Sequence, residues 1–409
     1  MPMPRILMVT SVFPRWERDD TPAFVANLAE DISALGCSVT VLAPHYPGAK
    51  VEEFLGSIRV VRFRYAFPFS LEKLCYNGGM IINMRTQKWT KCLLPFFFIA
   101  QLRALQKLVS TNHFDLLHSH SLLPQGYACS WIARKTDLPH LTTSHGNDVF
   151  GLRDNGMYGN MKRAVLKAAD AIIANSSATQ GAITRQGAAA SKIYLIPSSA
   201  NISPIKQVVA QRVKTQYKPS DGGPLIIFVG RLIEEKGVSD LIAAISIVAK
   251  SFPSVHCIIL GEGQDRAKFE QQVSRFHLHK NISFLGWIAK DLITSFISAA
   301  DIFIGPSKPN KMGWTEAQGL TFVEAMYAKT PIIATQIGGI PDMVKHLKTG
   351  ILIPPNDAKA IAVNIEALLN NSGLARELTS NARSHYENTF SRAIVSHQHI
   401  ALYKKFFKR

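Results

Sequence analysis

At 409 residues the chain is too long for one ordinary core, and 47% hydrophobic with 18% charged residues is globular composition, excluding a disordered or low-complexity protein. A net charge of +17 calls for anionic partners: a nucleotide, a nucleic acid or an anionic membrane surface. The basic residues are shared between both halves, so a nucleic-acid-binding tail is unsupported and no nucleic acid is expected as a partner.

The N-terminus runs through Arg5 directly into an apolar strand, too short for a signal h-region and without a cleavage site. Strands are predicted at Ile6–Val9, Ser38–Ala43, Ile58–Phe63, Leu116–His118, His140–Thr143 and Ala171–Ala174, with amphipathic helices such as Pro22–Leu35 and Leu102–Ser110 between them. The apolar run Cys92–Leu102, flanked by Arg85, Lys88, Lys91, Arg103 and Lys107, reads either as an interfacial segment or as a core helix packed on a sheet. No apolar run reaches the roughly 18–20 residues of a spanning helix. The cysteines, Cys37, Cys75, Cys92, Cys129 and Cys257, have neither Cys-x-x-Cys nor zinc spacing and fit a reducing cytoplasm.

Residues 202–224, polar and ending in Asp221-Gly222-Gly223-Pro224, read as a linker, after which the strand pattern restarts. Strands are predicted at Leu225–Val229, Val255–Leu260, Ile282–Phe284, Ile302–Gly305, Ile332–Thr335 and Gly350–Ile353. This alternation predicts an α/β fold of two parallel-sheet domains, over 1–201 and 225–389, with a cleft between the sheets. Cationic Phe406–Arg409 at the C-terminal end offers a membrane contact.

Ligands of open α/β sheets bind beyond the carboxyl ends of the strands, so the loops there carry the argument. After Leu225–Val229 comes Gly230-Arg231, then Lys236-Gly237, where a forked guanidinium and a mobile ammonium suit a diphosphate; a solvated loop is the plain alternative. Gly261-Glu262-Gly263 lets a nucleotide approach backbone, while no Gly-x-Gly-x-x-Gly follows the first strand, which argues against a dinucleotide fold. Between Trp314 and Pro331, Glu316 should lie in a loop, Gly319 at the turn, and Glu324 in the first turn of a helix over Leu320–Ala328 whose free amides suit an anion. Thr321 and Glu324 also make a capping box, which alone would explain Glu324. Gly338-Gly339-Ile340-Pro341 supplies a further turn. In the first half His145, Gly146 and Asp148 follow one strand, and His118 and His120 end another; packing is the alternative for these histidines.

Four blocks in order closely resemble GT-B glycosyltransferases of family 4: Val229-Gly230-Arg231 with Lys236-Gly237, Leu260 to Gly263, Glu316 to Ala325, and Gly338 to Pro341. Phe13–Trp16 and Phe24–Ala29 are similar to the openings of some members, so the resemblance spans essentially the whole chain. It implies the GT-B fold, two Rossmann-like domains facing across a cleft, with 390–409 as a final helix crossing back to the first domain in preference to a membrane contact, and a retaining transfer of sugar from a nucleotide-diphosphate sugar to a glycan or lipid-linked acceptor. The basic surface and Cys92–Leu102 point to a membrane-proximal acceptor in cell-surface polysaccharide or glycolipid biosynthesis, so the expected location is cytoplasmic, peripheral on the inner face of the membrane. By the same resemblance Arg231 and Lys236 neutralise the diphosphate, the amides at Gly319 and Leu320 hold the distal phosphate, and Glu324 binds ribose. Glu316 and His145 would face the transferred sugar, and His118, His120 and Asp148 the acceptor side. The loop Ser11–Thr21 lacks the Gly-Gly pair many members carry there; Arg15 is its candidate replacement, or one charge of an exposed loop. No Asp-x-Asp occurs, so neither metal nor cofactor is expected. A sugar-nucleotide epimerase or hydrolase of the same fold, or a non-catalytic anion-binding protein, are the competing readings.

Overall fold

The computed structural model describes residues 3–407 apart from 18, 20, 22, 152, 153, 311 and 312. Pro22 of the expected first helix, Arg18 and Asp20 of the first loop, Lys311 and Met312 before Trp314, and the cationic tip Lys408-Arg409 therefore lie outside the described residues. The chain divides into two compact units, Met1–Asn201 with Arg392–Arg409, and Ile202–Ser391.

The first unit holds an eight-stranded sheet of β1 (Arg5–Val9), β2 (Ser38–Pro44), β3 (Glu52–Leu55), β4 (Ile58–Phe63), β5 (Leu116–His120), β6 (His140–Ser144), β7 (Ala171–Ala174) and β8 (Ile193–Leu195), in the order β3-β4-β2-β1-β5-β6-β7-β8. All pairs are parallel except the antiparallel edge pair β3–β4. Period-two alternation sends Ile6 and Met8 to one core and Leu7 and Val9 to the other, so both faces of β1 are buried. On the first face pack helix Phe24–Ala34 and the final helix Arg392–Phe406, whose Val395, Leu402 and Tyr403 enter that core. Arg392 pins this helix by ion pairs to Asp31 at 2.7 Å and Glu30 at 3.0 Å. On the second face lies helix Leu94–Thr111, burying Phe97, Gln101, Leu105 and Leu108.

That helix joins the two readings of Cys92–Leu102, because one side is core while Phe96 and Ile99 on the other remain 62% and 47% exposed. The helical stretch Lys88–Thr111 is long and apolar enough by composition to cross a membrane, yet its inner side is committed to the unit's own core.

The second unit holds a wholly parallel sheet of β9 (Leu225–Val229), β10 (His256–Leu260), β11 (Ile282–Gly286), β12 (Ile302–Gly305), β13 (Ile332–Thr335) and β14 (Ile351–Ile353), in the order β11-β10-β9-β12-β13-β14. Strand order reverses between β9 and β12, so the loops leaving these two strands flank the switch point, where such sheets bind ligands. The expected linker 202–224 is instead part of this unit. It contains helix Gln207–Tyr217, which buries Ala210 and Val213 and packs on helix Lys290–Ala299, while Lys218 Nζ pairs with Asp301 at 2.7 Å. β3 and β8 were not predicted; both are edge strands with little burial, so no apolar run marks them.

Candidate active site

At the switch point of the second unit, β9 runs into Gly230, and buried Leu232 anchors the loop ahead of a 3₁₀ turn over Glu234–Lys236. The Lys236 ammonium forms an ion pair with the carboxylate of Glu316, which the loop leaving β12 supplies. Ser307 Oγ lies 3.3 Å from the same carboxylate oxygen, and Lys236 Nζ stands 5.9 Å from the centre of the Trp314 ring. The pair uses one of the three ammonium protons, leaving a cation and an acceptor side by side. Arg231 is exposed, and among the described residues no carboxylate pairs with it.

A second layer, not anticipated from the sequence, ties these two loops together. Lys308 Nζ reaches Glu234 at 2.6 Å, Ser239 Oγ at 2.9 Å and Asp240 at 3.3 Å, and its backbone N–H donates to Glu235 at 2.8 Å. Asn310 Nδ2 donates to the Glu235 side chain at 2.9 Å. Burial pushes the Glu234 carboxyl up, but hydrogen bonds from Lys268, Lys308 and Ser239 prevail and hold it at about 2. The only signal in the sequence was a lysine in one loop and Glu234-Glu235 in another.

Helix Leu320–Ala328 begins at Gly319, whose φ of +84° is the left-handed region that glycine enters without strain. No side chain caps it, so the capping box is not formed: Thr321 is the second helical residue, and Glu324 lies in the second turn rather than the first. The amides of Leu320 and Thr321 thus end the helix without a side-chain acceptor or an acidic residue in the first turn, as anion binding requires. Glu324 is partly buried, and burial pushes its carboxyl up to about 7, against the pull of Lys290.

The predicted glycines occupy adjoining loops. Gly230 N–H donates to Leu260 at 3.0 Å, Gly261 N–H to Gly286 at 2.8 Å, and Leu232 N–H to Glu262 at 2.9 Å, next to Gly263. The loops leaving β9, β10 and β11 are therefore bonded in a row beside Arg231.

In the first unit the predicted histidines separate into different environments. His118 is fully buried, with Nδ1 2.8 Å from Tyr403 Oη and Nε2 2.7 Å from Thr143 Oγ1, so both ring nitrogens are committed to packing partners. Asp148 is likewise buried and internal, accepting from Leu122 N–H at 2.9 Å and Ser144 Oγ at 3.0 Å. Both side chains are thus committed to internal hydrogen bonds, which hold the ends of β5 and β6. His120 and His145 stack at 5.4 Å between ring centres, with His120 Nδ1 3.2 Å from His145 Nε2. Both border a small cavity of about 20 Å³ with Phe24, Ser198, Ser199 and His399. Burial lowers His145 to about 4, so its imidazole is neutral at physiological pH. Arg15 is not part of an exposed charged loop: Asp19 holds its guanidinium at 2.6 Å, and it lies over the rings of Trp16 and Tyr46 at 4.4 and 4.6 Å.

Among the described residues no group of three or more His, Cys, Asp or Glu side chains is disposed to hold a metal ion.

Residues 23–203 match the family described as Glycosyltransferase Family 4, and residues 209–385 that described as Glycosyl transferases group 1. Similar curated proteins include an N-acetyl-alpha-D-glucosaminyl L-malate synthase of Bacillus anthracis, 23% identical over 82% of this chain and 86% of that protein. A glycogen synthase of Mycobacterium tuberculosis is 24% identical over 94% of this chain and 91% of its own length. Among solved structures, a sucrose-phosphate synthase from Thermosynechococcus elongatus superposes with a TM-score of 0.78 at 22% identity, covering 98% of this chain and 99% of the other. Anabaena HepE in complex with UDP gives 0.73 at 18% identity, covering 98% and 100%.

Proposed function

The chain belongs to glycosyltransferase family 4 with the GT-B fold, and from that premise we propose that it is a retaining, metal-independent enzyme moving a sugar from a nucleotide-diphosphate sugar to a glycan or lipid-linked acceptor. The setting we propose is cell-surface polysaccharide or glycolipid assembly, in the cytoplasm and at the inner face of the membrane. Five free cysteines and a net charge of +17 support that location.

The observation that carries the reading is the Lys236–Glu316 pair at the switch point, close in sequence to the uncapped helix start at Gly319. The leaving diphosphate is stabilised by Arg231, Lys236 and the amides of Leu320 and Thr321, which do the work a divalent cation does elsewhere. Glu316 accepts hydrogen bonds from hydroxyls of the transferred sugar, and Glu324 from the ribose. His145, neutral, hydrogen-bonds a sugar hydroxyl without repelling positive charge that develops on the sugar. Chemistry then rests on positioning and electrostatics. The acceptor oxygen attacks from the face the diphosphate leaves, its proton passing to a phosphate oxygen, so the anomeric configuration is kept.

The test is a thermal-shift screen of nucleotide sugars followed by product analysis by NMR with and without EDTA. Transfer with retained anomeric configuration, unaffected by EDTA, is expected. Inversion, a requirement for metal, or epimerisation with no acceptor would overturn the corresponding part of the proposal.

A further inference from the structure

From Arg64 to Lys107 the sequence carries seven Lys and Arg residues and a single acid, Glu72. All seven cations are exposed, and among the described residues none is paired with a carboxylate. Glu72 is buried, its carboxylate bound to the His45 ring and to Tyr65 N–H at 2.8 Å, so this stretch carries exposed positive charge and no exposed acid of its own.

The same stretch leaves large apolar side chains in water: Phe67 is 83% exposed, Phe96 62%, Ile99 47% and Trp89 43%. Helix Leu94–Thr111 explains the pattern. Phe96, Ile99 and Arg103, spaced i, i+3, i+7, line its outer side, while Phe97, Gln101, Leu105 and Leu108 point into the core. Phe67, Leu71, Phe96 and Ile99 line a groove of about 520 Å³ whose border includes Arg64 and Arg103. Contiguous apolar surface rimmed by unpaired cations matches a layer that is hydrocarbon inside and anionic at its edge.

We propose that this face docks on an anionic bilayer, with Phe67, Phe96 and Ile99 entering the boundary between headgroups and acyl chains and the seven cations lying at the level of the phosphates. The proposal deepens the reading of a membrane-proximal acceptor and rests on it for its purpose. Insertion is interfacial because the helix's inner side is already buried in its own unit. A nucleic acid would use the charge but leave the aliphatic Ile99 and the apolar groove without a role.

The experiment is co-sedimentation of the full chain with vesicles of phosphatidylcholine and phosphatidylglycerol in equal parts, and with phosphatidylcholine alone, across a salt series. Strong, salt-sensitive binding to the mixed vesicles is expected, weaker by more than about tenfold on the neutral ones. Each cation removed, as in Lys88→Gln or Lys91→Gln, should weaken binding by about fivefold. The triple variant F67S/F96S/I99S should lose most binding while keeping the wild-type melting temperature and turnover of a soluble nucleotide sugar. Equal binding by wild type and triple variant, resistance of bound protein to carbonate extraction, or competition by duplex DNA for the same residues would each overturn the docking. Wild-type protein that turns over a nucleotide sugar but ignores both vesicles would overturn docking and leave glycosyl transfer standing. Protein that binds as described yet turns over no nucleotide sugar would support docking and overturn the transfer.

Discussion

The backbone N–H of Gly339 donates to the carbonyl oxygen of Glu316 at 2.8 Å, and Gly338 passes so close that a Cβ there would stand 2.0 Å from the same oxygen. The turn after β13 is thus a template for the loop that presents the Glu316 carboxylate. With φ at +52°, Gly338 also holds a backbone conformation that side-chain-bearing residues rarely adopt. Gly338→Ala should cost about 1–3 kcal/mol of stability and displace Glu316. Urea denaturation will read the first effect. Loss of turnover comparable to that of Glu316→Ala, with the remaining secondary structure intact by circular dichroism, will read the second.

Removing either member of the Lys236–Glu316 pair should leave the fold intact, since both are partly exposed on loops. Lys236→Ala removes charge facing the diphosphate and should lower kcat by about 10²–10³-fold. Glu316→Ala should cost a similar factor, and the double variant far less than the product of the two, because the residues act as one unit. Steady-state kinetics on the four proteins completes the cycle; wild-type turnover by both single variants would sink the assignment.

Glu324 ties donor binding to pH. Ribose hydroxyls need an acceptor, so the ionised carboxylate is the binding form, and burial has pushed its pKa up to about 7. Affinity for the nucleoside diphosphate, followed by calorimetry, should rise as pH increases through about 7, and Glu324→Gln should flatten that rise. The stability effect has the opposite sign. The folded state holds the proton more tightly than the unfolded chain, so this group's contribution is present below the ordinary carboxylate range and is lost as pH climbs from 4.5 to about 7.

The buried strands were legible in the sequence because β1, β9 and β12 are covered on both faces and so appear as unbroken apolar runs. Helix Gln207–Tyr217 was not, since only Ala210 and Val213 are buried and Val208 stays 67% exposed, which reads as a polar connection. The capping box misled because Gly319 can start the helix two residues before Thr321. In the site, Arg231, Lys236 and Glu316 stood out through charges set between glycines. Lys308 did not, as its partners Glu234 and Asp240 lie about 70 residues away and no local spacing links them. Position at a strand end could not say whether a side chain faces inward or outward. His118 and Asp148 therefore looked the same as His145 until their hydrogen bonds were known.

The first unit should be the more acid-labile. Burial lowers His140 to about 3 and His145 and His399 to about 4, and holds His118 and His120 well below the usual histidine range. In the unfolded chain these groups take up protons near pH 6.5. Between there and pH 4 the unfolded state therefore binds more protons, and stability falls as pH falls, by about 1.4 kcal/mol per pH unit for each histidine. Among the described histidines of the second unit only His256 and His385 are lowered in this sense, Glu324 opposes them as its proton returns below about 7, and the lowered Glu234 adds its loss only within and below the ordinary carboxylate range. Hydrogen exchange read by mass spectrometry at pH 7, 6, 5 and 4, corrected for intrinsic rates, should show protection lost first in β1, β5 and β6 while β9, β10 and β12 keep theirs. Replacing His118 by Gln should shift that loss to lower pH, because one ring that must charge in the unfolded chain is gone; an unchanged profile would mean that the histidines do not set the acid limit.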